Sequence, residues 1–511
     1  MAEGGVPAAR QALREGRWLD PSLFCHDLPT RPDRSVGLVL VTGASGYIGG
    51  RLVPELIARG YRVRVMVRGQ SPEYARRWPE AEIAAADALE PEGLGRAVRG
   101  VEVAYYLIHS MLLGPGEFAG ADVTAARNFR IIAEEQGVKR IIYLGGLGDV
   151  HARLSRHLRS RAEVAGELMR GPVPVTVLRA AVIIGSGSAS YEIIKHLASK
   201  LPVIPVPTAI RSKCQPVAVR DVVKYLVGVL ETPGTVGKSF DIGGHEVFTY
   251  EAMIRMVAEV LQKRRLLIHT RVLSIRAYSY LASLFTPVPS QITRCLMEGL
   301  RNDVVCQDDA IRKIIPFQTI SYREAIVRAL SREEQDRVHT RWSDAYPPAH
   351  ALAMRIDELA NGPRFTARYS IGSAKEATSL FRATCRIGGK DGWFHYNWMW
   401  RMRGMVDRLL LGVGTSRGRR HLDTLAIHDV VGFWRVEAVQ ENQRLLLRAE
   451  MKLPGKAWLE FRIDPADGRR SLSVTAYYDT DSIPGLVYWY IFLPFHRSIF
   501  RGLIRQIEKR S

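Results

Sequence analysis

The chain has 511 residues, too many for one ordinary core, and this length predicts about two to four domains. A hydrophobic content of 47% with 8% aromatics excludes a disordered chain and fits a buried core, while five scattered cysteines (Cys25, Cys214, Cys295, Cys306, Cys385) with no Cys-x-x-Cys pair exclude a disulfide scaffold or zinc knuckle and predict a reducing, cytoplasmic setting. The formal charge of +20 reads either as solvated arginine-rich faces or as attraction to an anionic cofactor or membrane surface; no aromatic-interleaved basic motif of a nucleic-acid module accompanies it.

Residues 1–35 lack periodicity and carry Gly, Pro and Arg, which predicts a loose arm with no signal-peptide pattern. "VGLVLV" (36–41) is a continuous apolar run of strand length. A glycine-rich turn and the helical pattern "RLVPELIARG" follow it. "YRVRVMVR" (61–68), "VEVAYYLIHS" (101–110), "VKRIIYLGG" (138–146) and "VPVTVLRAAVIIG" (173–185) are further strands, with helical patterns such as "ADVTAARNFRIIAEEQG" (121–137) between them. This alternation predicts an α/β fold with a doubly wound parallel sheet, covered on both faces, over 36–255. A mainly helical extension is expected over 256–345. After "AYPPAH" the texture becomes α+β: strand "RFTARYSI", helix "SAKEATSLFRATCRI", then the strand-like runs "VVGFWRVEAV", "RLLLRAEMKL", "AWLEFRI" and "RSLSVTAYY". Residues 346–511 are therefore expected to form a curved antiparallel sheet with a long final helix. The longest uncharged run, Ala277–Thr293, is broken by two prolines and falls short of the ~20 apolar residues a spanning helix needs.

The chemistry begins at "VTGASGYIGGRL". Gly43, Gly46 and Gly49 form G-x-x-G-x-x-G between a strand and a helix, the context that makes a dinucleotide fingerprint. The first glycine permits the tight turn, the second lets backbone approach a pyrophosphate, and the third lets helix and strand pack closely. The helix N-terminus then offers N–H groups and partial positive charge to phosphates. Ala44, Ser45, Tyr47 and Ile48 complete the cradle. At the end of the second strand, where an acidic residue would hold a ribose 2′-hydroxyl, stands Arg68. Arginine suits a 2′-phosphate, so NADP is expected over NAD, with Arg51 as a second candidate contact; the alternative is a solvated Arg68. Asp87 and Ala88 after the third strand either frame the adenine edge or cap the following turn. Ile108, His109, Ser110 and Met111 follow the fourth strand, beyond whose carboxyl end ligands lie in this architecture.

"TGASGYIGG", "YYLIHSM", "HLRSR" and "LRAAVIIGSGSASYE", in this order, resemble the atypical short-chain dehydrogenase/reductase superfamily, and within it the NmrA-like branch and its longer bacterial YbjT-type members. "IGGKDGWFHYNWMW", "FWRVEAV", "EMKLPGKAWLEF" and "LVYWYIFLPFHRSIFRG" resemble the C-terminal domain fused to such proteins, and the order of its elements is similar to the START helix-grip fold. The resemblance implies a Rossmann fold and NAD(P) binding. The helix-grip likeness implies either an apolar cavity between sheet and helix or a solid core.

The superfamily's enzymes carry Ser and a Tyr-x-x-x-Lys pair. Here Gly145 or Gly146 stands for the serine, His157 for the tyrosine and Arg161 for the lysine. The spacing puts His157 and Arg161 on one helical face. Histidine titrates near neutrality, so His157 is a candidate general acid and Arg161 a candidate for holding cofactor; the alternative is a polar helix start. His109 and Ser110 are the rival proton carriers. No metal spacing occurs among the histidines. On the last helix Arg497, Arg501, Arg505 and Lys509 recur on one side and Ile499, Phe500, Leu503, Ile504 and Ile507 fill the other, which fits a core-packing helix or a membrane-surface helix. Three functions remain open: an NADP-dependent reductase of a small apolar carbonyl or alkene compound, a non-catalytic NADP(H)-binding redox sensor, and a carrier of an apolar ligand peripheral to the inner face of the membrane.

Overall fold

The structure, a computed structural model, describes residues 24–68, 72–109, 118–148, 154–207, 212–270, 274–334, 340–342, 356–359, 361–388, 391–410, 412–414, 424–466 and 469–511. These fall into two compact units. The first takes the described residues up to Ala282 together with those of Gln291–Tyr346; the second takes Ser283–Ser290 and those from Pro347 onward.

The first unit alternates strands and helices: β1 (Leu38–Val41), α1 (Gly49–Ala58), β2 (Arg62–Val67), α2 (Pro72–Arg77), β3 (Glu82–Ala85), α3 (Pro91–Val98), β4 (Val101–Tyr106), α4 (Phe118–Glu135), β5 (Arg140–Gly146), α5 (Arg156–Leu168) and β6 (Val175–Ala180). After α6 (Ala189–Lys200) and α7 (Val219–Leu230), β7 (Ser239–Ile242) closes one edge. The seven-stranded sheet has the order β7-β6-β5-β4-β1-β2-β3, and every pair is parallel. This is a Rossmann sheet. Its direction of winding reverses between β1 and β4, which opens a crevice at their carboxyl ends. The uninterrupted burial of β1 follows from helices on both faces.

Two expectations change in detail. Residues 24–35 belong to no loose arm; the rest of the expected arm, 1–23, lies outside the described residues. The Cys25 amide donates to Glu55 at 2.9 Å, Lys224 reaches Asp27 at 2.6 Å, and the Thr30 hydroxyl donates to Glu231 at 2.5 Å. Buried charges on the sheet's helices need partners, and this segment supplies some of them. The stretch set apart as 256–345 packs into the first unit. A boundary at 255 would cut α8 (Tyr250–Val260), and the strand Leu266–Thr270 pairs in parallel with Val203–Pro207. Tyr322, Ala325, Ile326 and Ala329 of α9 (Tyr322–Glu334) share a core with Tyr191 and Met253.

The second unit contains β8 (Phe365–Ser373), α10 (Ala377–Cys385), α11 (Asn397–Leu409), β9 (Val430–Val431), β10 (Trp434–Gln440), β11 (Arg444–Ala449), β12 (Lys456–Ala466), β13 (Arg469–Asp479) and α12 (Ile483–Arg510). Its sheet is antiparallel throughout, in the order β8-β13-β12-β11-β10-β9. Ser482 caps α12 by accepting the Gly485 amide proton, and the helix lies on β8 and β13. Phe500, Leu503, Ile504 and Ile507 are buried, while Arg497, Arg501, Arg505 and Lys509 are exposed. The first half of α12 differs: Ile483, Val487, Tyr490, Ile491 and Phe495 are exposed in one stripe. The helix α11, not among the elements expected from the sequence, exposes a second stripe at Trp398, Met402, Met405, Val406 and Leu409. Both spacings are those of one helical face. Among the described residues no helix is long and apolar enough to cross a membrane.

The first unit is locked by an ionic cluster. Arg59 donates to Glu55 at 2.9 Å and to Glu231 at 2.9 Å, and both carboxylates are almost wholly enclosed. Arg59→Met should strand both charges and destabilise the protein by about 3 kcal/mol in urea unfolding; a loss well under 1 kcal/mol would mean that Cys25, Thr30 and Tyr61 suffice to hold the carboxylates.

Candidate dinucleotide site

The glycine turn is built by close backbone approach. Gly43 has φ of 63°, and a Cβ on it would stand 2.6 Å from the Leu107 carbonyl oxygen. A Cβ on Gly49 would overlap the Gly43 carbonyl. Gly46 donates its amide proton to the Gly43 carbonyl at 3.0 Å, and its own carbonyl accepts from Gly50. The Ile48 carbonyl accepts from Arg51 and Leu52 to begin α1, Ala44 is buried beneath the turn, and Ser45 is half-buried at its rim. A side chain on Gly43 or Gly49 would therefore force the turn apart at the helix N-terminus, where a pyrophosphate is held in this kind of fold. The cradle fits a dinucleotide.

Around it the expected contacts divide. Arg68 leaves β2 exposed at the carboxyl edge of the sheet. Arg51 turns elsewhere: its guanidinium donates to the Ser186 carbonyl at 2.8 Å and lies 4.8 Å over the Tyr47 ring. It therefore does not join Arg68. Asp87 is half-buried and accepts the Leu89 amide proton at 2.9 Å, closing a turn ahead of α3. The Ala88 carbonyl accepts from Asn128 at 3.1 Å.

Beyond β4 and β5 the structure gathers a titratable cluster. The His109 and His157 rings lie 5.2 Å apart. His109 Nδ1 lies 3.3 Å from Oδ2 of Asp122, a buried carboxylate on α4. That carboxylate assigns the Nδ1 proton, so Nε2 carries the lone pair. The His109 ring keeps 22% side-chain exposure, yet among the described residues its Nε2 is enclosed without a hydrogen-bond partner, as is His157 Nδ1. Enclosed polar atoms without partners are where a ligand completes a site. Burial pushes the His109 pKa down, Arg161 pushes it further, and Asp122 opposes both. His157 falls well below the ordinary histidine value: burial acts first, then His109, then Arg161, with no carboxylate opposing.

Arg161 supplies that positive charge from a fixed place. Its guanidinium donates to the Leu144 carbonyl at 2.8 Å and reaches the Ile108 carbonyl at 3.5 Å, and it lies 5.0 Å over the Tyr143 ring. It ties the ends of β4 and β5 together. At the two positions compared with the serine, a Cβ on Gly145 would stand 3.0 Å from the Tyr143 ring and one on Gly146 3.0 Å from a Leu158 methyl group. The first turn of α5 is capped by Ser155. Ser110 and Met111 lie outside the described residues. No motif announces Asp122; it enters only because α4 runs beside the end of β4.

Residues 43–195 match a family described as NAD(P)H-binding. The first unit carries an NAD(P)H-binding domain. Residues 359–503 match a second family, described as a protein of unknown function (DUF2867). Among curated proteins the chain is 25% identical over 232 residues to the mitochondrial NADH dehydrogenase (ubiquinone) 1 alpha subcomplex subunit 9 of Arabidopsis thaliana, covering 44% of this chain and 58% of that protein. It is 28% identical over 198 residues to a ceramide reductase of Caulobacter vibrioides, covering 39% of this chain and 62% of that one. The chain thus spans about three fifths of the length of these relatives. A UDP-glucose 4-epimerase of Thermotoga maritima, solved with UDP-glucose, aligns over 58% of this chain and 99% of its own at 15% identity and a TM-score of 0.47.

Two outcomes test the site. Gly49→Val should abolish NADPH binding in fluorescence titration, since its side chain would strike the turn; retained affinity would remove the cradle from the cofactor site. The histidines should also shape stability against pH. Both folded pKa values lie below the unfolded value of about 6.5, so the unfolded chain takes up protons first and stability falls as pH drops from about 7 towards 5. His157→Gln should flatten that acid slope in chemical denaturation, and an unchanged slope would show that His157 is not held neutral.

Proposed function

We propose that the protein is an NADPH-dependent reductase of an apolar carbonyl or alkene compound, of the NmrA-like short-chain type, with His109 as its proton carrier. The observation that carries this reading is the enclosed, unpartnered Nε2 of His109 backed by buried Asp122. Of the two histidines, His109 has the opposing carboxylate and so titrates nearer neutrality. A proton-transfer group works best with a pKa near the working pH. His157 stays neutral and lines the pocket beside it. Arg161 is a positioning residue that fixes the strand ends and disfavours charge on both rings. A bound reduced nicotinamide would supply hydride; His109, after taking up a proton from solvent at Nε2, gives that proton to the oxygen of a carbonyl substrate and returns to the neutral ring, and Asp122 holds the Nδ1 proton throughout. The relative named as a ceramide reductase supports an apolar substrate. NADP over NAD rests on Arg68 at the exit of β2.

The test is NADPH oxidation against a panel of apolar ketones, aldehydes and enones. The reductive rate should fall as pH rises through the His109 pKa, which lies below the ordinary histidine value, because the donor must be protonated; the reverse oxidation should show the mirror profile. His109→Gln should lower kcat by roughly a hundredfold or more while leaving NADPH affinity intact. Asp122→Asn should lower kcat less and shift the pH profile. Arg68→Asp should favour NADH. NADPH binding without turnover on any substrate would leave the redox-sensor reading in its place.

A second reading concerns the other unit. The exposed stripes of α11 and α12, with Trp398 and Tyr490 on them and Arg401, Arg497 and Arg501 exposed near them, favour contact with an anionic bilayer surface. Co-sedimentation with anionic vesicles should exceed that with zwitterionic ones, weaken with salt, and fall in the Trp398→Ser, Tyr490→Ser double variant. Equal binding to both vesicle types, or none, would overturn it.

A further inference from the structure

A second cavity of about 100 Å³, open to solvent at its mouth, lies along α1 in the first unit. It runs between α1, the turn at Gly185–Ser186, the start of α7 and the helix α9. None of His109, Asp122, His157 or Arg161 lines it. The proton-transfer cluster and this cavity are therefore separate places, and nothing in the dinucleotide reading uses the cavity.

Its walls are apolar on one side, with Phe24, Pro54, Val223 and Ala329. On the other side four arginines line it: Arg51, Arg77, Arg220 and Arg328. The one carboxylate among the lining residues, Glu55, is already taken by the Arg59 guanidinium and the Cys25 amide at 2.9 Å each. Arg220 and Arg328 share their charge with Asp27 and Glu324 outside the lining, and the lining itself sets four guanidinium groups against one engaged carboxylate.

The donor inventory points the same way. Trp78 is 2% exposed, and among the described residues its indole Nε1 is buried with no acceptor. Among the same residues the Nε atoms of Arg51 and Arg220 are also buried and without partners, although the outer nitrogens of both side chains are held. Arg51 donates to the Ser186 carbonyl at 2.8 Å; Arg220 donates to the Phe24 carbonyl at 3.0 Å and to Asp27 at 3.1 Å. Those bonds fix where the two guanidinium groups stand. Buried donors left unpaired cost free energy, and here three of them occur on side chains that line one cavity. What they lack is an acceptor. A purely apolar molecule would leave them unsatisfied, and a free inorganic anion would leave the apolar wall wet.

We propose that this cavity is a binding site for an amphiphilic anion, with a carboxylate or phosphate head among Arg51, Arg220, Arg328 and the Trp78 indole N–H, and an apolar tail against Phe24, Pro54, Val223 and Ala329. Arginine suits either head group through charge-assisted bonds. Gly50 keeps that space open, since a Cβ there would stand 2.6 Å from the Thr340 methyl group.

The probes are decanoate, decyl phosphate, decanol and inorganic phosphate, titrated calorimetrically into the full-length protein, alone and saturated with NADPH. At least one of the two alkyl anions should bind about tenfold or more tighter than decanol and than inorganic phosphate, with or without NADPH. The tighter of the two names the head group. Arg328 sits at the surface with 46% side-chain exposure, paired with Glu324 one turn away, so Arg328→Glu costs α9 little, which a thermal melt of the variant checks. It should weaken the alkyl anions by about tenfold and leave decanol unchanged. Trp78→Phe keeps most of the ring and removes the donor, and should weaken the anions alone. Binding of decanol as tight as that of the anions, binding of no alkyl anion, competition by NADPH, or unchanged affinity in Arg328→Glu would each overturn the proposal. Should Trp78→Phe fail to fold, Arg328→Glu and the decanol comparison still decide the matter.

Discussion

At the point where the parallel sheet changes its direction of winding, one buried hydroxyl holds the two diverging strands. Thr42 sits just past β1. Its amide and its hydroxyl both donate to the Tyr105 carbonyl at 3.0 Å, and the hydroxyl accepts the Leu107 amide proton at 3.1 Å. The Thr42 side chain thus continues the β1–β4 pairing for one residue after the backbones begin to part. Gly43 then turns away at positive φ directly against Leu107. The crevice between the two strands, the direction of α1 and the placing of the residues after β4 all follow from that junction. Without the threonine hydroxyl the Leu107 amide would lose its acceptor, while the Tyr105 carbonyl would keep the backbone amide of residue 42.

The histidine cluster hangs from the same junction. His109 comes two residues after Leu107, and Arg161 reaches Ile108 and Leu144 to close the ends of β4 and β5. Three effects compete over the rings: burial and a nearby guanidinium disfavour charge, and Asp122 favours it. The carboxylate touches only one ring, so the two histidines part company. This is the general way in which one pocket holds groups of like type in different protonation states. At the positions compared with a Tyr-x-x-x-Lys pair stand a buried histidine held neutral and a fixed guanidinium, and the one carboxylate of the cluster, brought in from another helix, meets the neighbouring histidine instead.

The second unit solves a different problem. Its sheet encloses an ion pair, Arg435 with Glu450 at 2.5 Å, and a hydrogen bond from the Trp458 indole to Glu437 at 3.0 Å, and these satisfy polar groups within an otherwise apolar core. Its outer surface does the reverse and leaves apolar side chains of α11 and α12 in solvent. Contiguous apolar exposure costs solubility and marks surfaces that meet something else.

The Rossmann core can be read directly from the chain. Apolar runs such as "VGLVLV", the glycine spacing of Gly43, Gly46 and Gly49, and Arg68 in place of an acid are local patterns, and local patterns survive without tertiary knowledge because each is set by neighbouring residues. The antiparallel sheet and final helix of the second unit are equally legible from alternation. The helix α11 is not, since its exposed apolar face imitates a buried one in the sequence. Sequence also places His157 and Arg161 on one face but does not say what stands opposite them. Asp122 beside His109, Arg51 turned to Ser186, the docking of residues 24–35 on Glu55 and Glu231, and the cavity lined by residues as far apart as Phe24 and Ala329 are contacts over longer sequence separations. The sequence by itself determined that a dinucleotide fold is present. Only the tertiary structure decided which residues titrate, which are locked and where a second ligand fits, because burial and charge proximity are properties of the packed chain.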